Sequence, residues 1–89
     1  MKIKDGFRLR TLGTEYIVTA EGDRQINFNK IISLNSSAAF LWKNVEGKDF
    51  TAEDLADLLV GEYDVDRERA LEDSKAISVK WIEAGIVEK

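Results

Sequence analysis

The sequence predicts an α+β domain in which a three-stranded antiparallel sheet is followed by three helices. Apolar residues recur at every second position through the first third of the chain, which is the period of strands. Through the remainder they recur at every third or fourth position, which is the period of helices. With 89 residues, of which 44% are hydrophobic and 34% are charged, the chain has the size and balance of a single globular domain spanning residues 1–89.

The first two strands are predicted as a hairpin. Apolar and polar residues alternate over residues 7–12 and again over residues 16–21, and Gly13-Thr14-Glu15 between them can turn the chain. Glu21-Gly22-Asp23 is a second turn signal that precedes the third strand.

The third strand is predicted from Ile26 to Leu34. Its even positions are apolar except for Lys30, and its odd positions are polar except for Ile31. One face of the resulting meander is therefore expected to be covered by helices. We expect Lys30 to reach past the edge of the sheet or to be turned outward by a bulge.

Two helices are predicted after the strands. Asn35 is the expected N-cap of the first, which should end at Gly47 and bury Ala38, Leu41, Trp42 and Val45. Thr51 is the expected N-cap of the second, with Asp54 completing a capping box and with Leu55, Leu58 and Leu59 facing the core.

The third and longest helix is predicted from the cap residue Asp66 to the terminating Gly85, with Ile86 packing back over its last turn. Its expected inward stripe is Ala70, Ser74, Ile77 and Trp81, flanked by Leu71, Ser78 and Ile82. Both tryptophans are expected in the core. Three helices with short connections and a small sheet are the outline of a winged helix-turn-helix domain.

The composition excludes several kinds of catalytic and metal-binding chemistry. The chain has no Cys and no His, so thiolate nucleophiles, Cys-ligated metals and the commonest general base are absent. The adjacent carboxylate pairs fall on predicted helices, where neighbouring side chains point in different directions, and the six glycines are scattered. We therefore expect no catalytic site, no metal site and no cofactor. No apolar segment is long enough for a membrane span, and we expect a cytoplasmic protein.

The charge distribution argues against nucleic-acid binding. Residues 1–45 carry seven basic and four acidic groups, a net charge of +3, whereas residues 46–89 carry six basic and thirteen acidic groups, a net charge of −7. The third helix, which would read DNA in a winged helix, mixes both signs. DNA recognition needs a concentrated basic face.

Residues 34–87 carry a set of short motifs in a distinctive order. The set is Asn35-Ser36-Ser37-Ala38-Ala39-Phe40-Leu41-Trp42, Gly47, Thr51-Ala52-Glu53-Asp54-Leu55, Tyr63-Asp64-Val65-Asp66, Asp73 and Glu83-Ala84-Gly85-Ile86-Val87. In order and spacing it resembles the PqqD-like family, named for the D protein of pyrroloquinoline quinone synthesis. The resemblance covers over half the chain.

The resemblance implies a peptide-binding module called a RiPP recognition element, without catalytic activity of its own. Such a domain binds the leader segment of a ribosomally made precursor peptide as an added strand. It presents the precursor to a modifying enzyme, often a radical S-adenosylmethionine enzyme. An exposed strand edge supplies backbone hydrogen bonds for this binding, and flanking side chains supply selectivity.

Carried onto this sequence, the resemblance places the peptide between the third strand and the first half of the third helix. The implied contact residues are Phe28, Asn29, Lys30, Ile31, Ile32 and Ser33 on the strand and Arg67, Ala70, Leu71, Ser74, Lys75 and Ser78 on the helix. Ser74 and Ser78 are small and are expected to leave room for the peptide. Arg67 and Arg69 are expected either to attract an acidic peptide or to pair with Asp64, Asp66 or Asp73.

Two other classes of function stay open. The domain could be an adaptor that binds only a protein partner, as a subunit or as a dimer through its strand edge. In either function we expect a monomer or a weak dimer through a strand edge. It could also be a winged helix that binds nucleic acid, which the charge distribution disfavours.

Overall fold

The computed structural model describes residues 1–20 and 32–88. Five strands and three helices lie in these ranges. They are β1 (Lys2–Ile3), β2 (Phe7–Leu12), β3 (Glu15–Ala20), β4 (Ile32–Leu34), α1 (Ser36–Val45), α2 (Ala52–Glu62), α3 (Arg67–Glu83) and β5 (Val87–Glu88). The predicted α+β class, with a three-stranded antiparallel sheet followed by three helices, is confirmed.

The main sheet has the order β2-β3-β4, and both pairings are antiparallel. Leu12 pairs with Glu15 across the Gly13-Thr14 turn, and Val18 pairs with Ile32. Of the predicted third strand, the segment 32–34 is observed as β4, and residues 26–31 lie outside the described residues. Ile32 and Leu34 pack against the core, as the alternation predicts.

A second, two-stranded sheet joins the two ends of the chain, and the sequence analysis did not predict it. Lys2 pairs with Glu88 and Ile3 with Val87, in antiparallel register. The Met1 ammonium group donates a hydrogen bond of 2.7 Å to the carbonyl oxygen of Phe50. The amide of Phe50 donates one of 2.7 Å to the carbonyl oxygen of Met1. The order of elements is therefore not simply three strands followed by three helices.

The predicted N-caps are confirmed for all three helices. Asn35 Oδ1 accepts a hydrogen bond from the amide of Ala38 at 2.8 Å, and Asp66 Oδ1 accepts one from the amide of Arg69 at 2.8 Å. Thr51 forms a complete capping box with Asp54, with distances of 2.9 and 3.1 Å. Each cap satisfies backbone donors that the first turn of a helix leaves unpaired.

The end of α3 is a Schellman motif. Gly85 has a φ of 79° and donates to the carbonyl oxygen of Ile82, and Ile86 donates to the carbonyl oxygen of Trp81. Ile86 is fully buried, as predicted. This tight ending turns the chain directly into β5.

The core lies between the inner face of the main sheet and the three helices. The largest side chain that is completely buried is Trp42 on α1, and its ring meets that of Trp81 on α3 edge to face at 5.5 Å. The ring of Phe50 also meets that of Trp81 edge to face, with the centroids 6.3 Å apart. Both tryptophans therefore occupy the predicted core positions.

The most buried line of α3 differs from the prediction at one position. The buried residues are Ala70, Ser74, Ser78 and Trp81. Ile77, predicted in the centre of the stripe, is half-buried, and Ser78, predicted beside it, is buried. Both lines fit the helical repeat, so the difference reflects the rotation of α3 against its neighbours, which leaves the larger Ile77 at the margin of the core.

Candidate peptide-binding site

The strand β4 forms one edge of the main sheet. Within the described residues it pairs with β3 on one side and with no strand on the other. Its central residue, Ser33, is exposed, while Ile32 and Leu34 point into the core. Backbone N–H and C=O groups along such an edge are available to an added strand.

A groove begins where β4 ends. Its volume is about 580 Å³, and it lies between the start of α1, the end of α2 with the following turn, and the middle of α3. Its lining residues, which define the groove hereafter, are Asn35, Ser36, Ser37, Leu59, Tyr63, Val65, Asp73, Ala76 and Ile77. Asn35 and Ser36 also line a shallower depression of about 400 Å³ that includes Ser33 and Leu34 of β4.

One wall of the groove is apolar. Leu59 is buried at its base, and the connection after α2 presents Tyr63 and Val65, which are 37% and 36% exposed. The ring of Tyr63 meets that of Phe40 edge to face, with centroids 5.9 Å apart. The amide of Tyr63 donates to the carbonyl of Leu59 at 2.8 Å, which fixes the turn that carries this wall.

The polar part of the lining comes from the N-cap of α1, Asn35, and from Ser36 and Ser37 in its first turn. Asn35 Oδ1 is already engaged, since it accepts from the amide of Ala38 and from Ser37 Oγ, the latter at 3.0 Å. Among the described lining residues, the charged one is Asp73, whose Oδ2 lies 3.5 Å from Nε of Arg69. Both side chains of this ion pair are exposed, so the pair is screened by water.

The predicted contact residues that the structure describes differ in burial. Ser33, Arg67 and Lys75 are exposed, and Ile32 and Leu71 are half-buried. The buried ones are Ala70, Ser74 and Ser78. Phe28, Asn29, Lys30 and Ile31 lie outside the described residues.

Ser74 and Ser78 leave no open room at the surface. Both are buried, and Ser78 Oγ donates a hydrogen bond of 2.8 Å to the carbonyl oxygen of Ser74. Ser74 Oγ is buried without a hydrogen-bond partner in the described structure, and so is Trp42 Nε1. Small side chains on a packed helix let the neighbouring elements approach closely, which closes the space that the serines were expected to provide.

Arg67 pairs with a residue that the sequence analysis did not consider. It donates a hydrogen bond to Asp57 of α2, whereas Asp64, Asp66 and Asp73 were the expected partners. This hydrogen bond, followed by the charge of Asp57, raises the pKa of Arg67 above its ordinary value. The predicted pairing of Arg69 with Asp73 is observed.

The groove uses residues of α3 that the sequence analysis did not select. Asp73, Ala76 and Ile77 line it, while none of the helix residues selected from the sequence does. The sequence contains one signal for the groove, which is the short connection between α2 and α3. This connection holds the apolar residues Tyr63 and Val65 beside the side of α3 that lines the groove.

Two other features, a cluster of metal ligands and a membrane-spanning helix, are absent from residues 1–20 and 32–88. No group of three or more acidic side chains in these ranges is arranged to hold a metal ion. Among the helices described, none combines the length and the apolar character that crossing a bilayer requires.

The fold and the site define a small α+β domain that presents a sheet edge beside an apolar groove. The chain belongs to the family of the coenzyme PQQ synthesis protein D (PqqD), whose sequence profile matches residues 12–87. The family resemblance seen in the sequence is thereby confirmed.

A solved structure shares the fold. The structure described as TbiB1 in complex with the TbiA(beta) leader peptide is similar to this chain with a TM-score of 0.76 and 21% sequence identity. The similarity covers 99% of this chain and 95% of that chain. No curated protein sequence gave a significant match.

Proposed function

We propose that the protein is a non-catalytic RiPP recognition element that binds the leader segment of a ribosomally made precursor peptide. The leader adds as a strand to the edge of β4 that faces away from β3. The observation that carries this proposal is that β4 is an edge strand of the described sheet and ends at an open groove, in a chain of the PqqD family.

Strand addition suits the role physically. Backbone hydrogen bonds along β4 give affinity with little dependence on the peptide sequence, and side-chain contacts beside the edge give selectivity. The inner face of β4 is anchored, since Ile32 and Leu34 pack on the core. The edge is therefore held in an extended form before the peptide arrives, which lowers the entropy lost on binding.

The comparisons support the same role. The similar structure of TbiB1 was solved with a leader peptide, and its fold matches nearly the whole of both chains. We extend the contact set to the residues carried over from the family, namely Phe28, Asn29, Lys30, Ile31, Ile32, Ser33, Arg67, Ala70, Leu71, Ser74, Lys75 and Ser78. The buried members of this set would contribute by shaping α3 rather than by direct contact.

The partners follow from the role. A separate modifying enzyme, of the radical S-adenosylmethionine type or another, would act on the core segment while residues 1–89, as one domain, hold the leader. Tethering raises the local concentration of the substrate at the enzyme. The site of action would be the cytoplasm, where the precursor is translated, without nucleic acid or membrane.

The direct test is to identify the peptide and map its contacts. The protein would be used to capture short peptides from a lysate of its source organism, and a recovered precursor would be titrated into ¹⁵N-labelled protein. We expect amide shifts at Ile32, Ser33 and Leu34 and slower hydrogen exchange there in the complex. A precursor that shifts none of the three amides would contradict strand addition at β4.

Proline substitutions in β4 give a sharper prediction. Successive amides of a strand point to opposite edges, so Ser33→Pro and Leu34→Pro each remove a donor on a different side of β4. The variant that loses the outward donor should remain folded and bind the peptide at least about tenfold more weakly, since it loses one hydrogen bond and its alignment. The other variant should lose stability, because it breaks the pairing with β3.

Calorimetric titration and thermal unfolding of both variants would separate these effects. If both variants remained folded and bound the peptide as tightly as the original protein, the edge of β4 would not be the binding site. Binding of a large protein without any peptide would favour the adaptor function, and a salt-sensitive shift with DNA would favour nucleic-acid binding.

A further inference from the structure

We propose that the edge of β2 that faces away from β3 is a docking surface for a second protein, which adds an extended acidic segment to the sheet there. The surface is defined by Phe7–Leu12 and lies on the opposite side of the sheet from β4. Under the proposed function the second protein is the modifying enzyme, and that identification alone rests on the proposed function. The sheet would then hold the leader at one edge and the enzyme at the other.

The backbone of β2 can accept a further strand. In the order β2-β3-β4 it pairs with β3 and with no other strand among the described residues. It has six residues, against three in β4, and the chain has no proline that would remove a donor. Phe7 and Leu9 pack against the core, so the edge is held extended before a partner arrives.

The outer face of this edge is basic. Arg8 and Arg10 alternate with the residues that face the core, and both are exposed. Nε of Arg10 donates a hydrogen bond of 3.2 Å to Oγ1 of Thr19, which holds the guanidinium group over the outer face of the sheet. Residues 1–20 carry four basic and two acidic side chains, whereas residues 32–88 carry six and thirteen. The edge of β2 therefore attracts an acidic partner, while the rest of the described chain is acidic itself.

The same arginines disfavour a second copy of this chain as the partner. In the central antiparallel register of two β2 strands, Arg8 of each copy lies opposite Arg10 of the other. Like charges that face each other across a strand pair destabilise it, whereas opposite charges stabilise it. An acidic strand is therefore favoured at this edge over a second β2.

The side chains of β2 also specify the pattern of the partner strand. Leu12 lies on the same face as Arg8 and Arg10 and is 62% exposed, the highest fraction among the large apolar residues that the structure describes. An antiparallel strand meets these three positions in reverse order. Its matching residues are one apolar residue and then two acidic residues, each two positions after the last, so that all three lie on the outer face.

The test uses a synthetic hairpin peptide that carries this pattern on one strand. One version has Leu, Glu and Glu at the three matching positions, and the other has Leu, Lys and Lys. Each would be titrated at low and high salt into the ¹⁵N-labelled full chain. The double variant Arg8→Glu, Arg10→Glu reverses the charge of the edge. The double variant Lys48→Glu, Lys80→Glu is the matched control, because it makes the same change at exposed positions outside the sheet.

We expect the glutamate peptide to shift the amides of Phe7–Leu12 and to bind at least about tenfold more tightly than the lysine peptide. Binding should weaken as salt is added, because the charges are exposed. Arg8→Glu, Arg10→Glu should reverse the preference, and the control variant should keep it. If the reversed variant does not fold, Arg8→Gln, Arg10→Gln should abolish the preference instead.

Equal binding of the two peptides, or shifts confined to other residues, would overturn the docking surface and leave strand addition at β4 intact. A dimer in light scattering whose dilution shifts the amides of β2, or a DNA duplex that shifts them, would also overturn it by giving the edge another occupant. If the glutamate peptide bound β2 but the leader did not bind β4, the docking surface would stand. The proposed function, and with it the identification of the partner as a modifying enzyme, would then fail.

Discussion

Ser74 places a hydroxyl group in the interior of the domain, where it has no hydrogen-bond partner among the residues that the structure describes. It is completely buried on α3, and its neighbour one turn later, Ser78, donates to the carbonyl oxygen of Ser74 rather than to its hydroxyl. A buried polar group that loses water and gains no partner costs about 1–3 kcal/mol. The serine therefore weakens the attachment of α3 to the core.

Replacing this hydroxyl should stabilise the fold. We expect Ser74→Ala to raise the free energy of unfolding by about 1 kcal/mol, because it removes the desolvation cost and leaves the apolar contacts. Urea unfolding followed by circular dichroism would measure the change. Ser78→Ala is the control, since its hydroxyl has a partner, and it should leave stability unchanged or slightly lower. A less stable Ser74→Ala would mean that the hydroxyl has a partner in solution.

Helical spacing could predict that Ser74 faces inward, and it did. It could not predict that Ser78 is buried more deeply than Ile77, because the rotation of a helix by a fraction of a turn depends on the neighbours that it meets. Nor could it predict the partner of Arg67, since Asp57 is ten residues away on another helix. Contacts between elements depend on how the elements pack against each other. The residue pattern within one helix or strand carries no information about that packing.

At the scale of elements, the ends of the helices are determined locally. Gly85 adopts a positive φ of 79° and closes the Schellman motif of α3, whereas Gly61 lies inside α2. A Cβ atom added at either glycine would meet no atom within 4 Å. The two sites therefore differ in backbone conformation and not in space.

Substituting alanine for each of the two glycines should change the free energy of unfolding in opposite directions. Gly85→Ala should lower the free energy of unfolding by roughly 1–2 kcal/mol, because an L side chain is strained at positive φ. Gly61→Ala should raise it by about 0.5–1 kcal/mol, because alanine restricts the unfolded chain and favours the helix. Urea unfolding of the two variants side by side would check both. Equal effects of the same sign would contradict the assigned C-terminal motif of α3.

Caps, strands and helices were predictable at this scale because each has its own local signal. The strands β1 and β5 were not, since two residues are too short to show a period. The groove was not predictable either, because α1, the α2–α3 connection and α3 each contribute one wall. Its residues become neighbours only when the three elements pack.

At the scale of the whole molecule, one aromatic cluster joins distant parts of the chain. Trp42 of α1 contacts Trp81 of α3, and Phe50 contacts Trp81 from the connection before α2. Phe50 is in turn linked to Met1 by two backbone hydrogen bonds of 2.7 Å. The cluster therefore links the N-terminus to the helical layer.

Removing the central ring should destabilise the entire fold. We expect Trp42→Ala to lower the free energy of unfolding by about 3–5 kcal/mol, a large fraction of the stability of a small domain. Trp42→Phe should cost less, because a ring remains and Nε1 has no hydrogen-bond partner in the described part of the chain. Thermal unfolding followed by far-ultraviolet circular dichroism would compare them. A Trp42→Ala variant of unchanged stability would contradict the central place of this residue in the core.

The ribbon of β1 and β5 has a consequence for the connectivity of the chain. Because Lys2 lies opposite Glu88, their Cα atoms are about 4.5–5.5 Å apart. An engineered linker of a few residues could therefore join the two ends into a ring. The ring could be reopened at the exposed Gly47-Lys48 turn after α1, which lines neither the groove nor the depression beside β4. Such a circular permutant would keep the recognition surface while carrying fused partners at a new position.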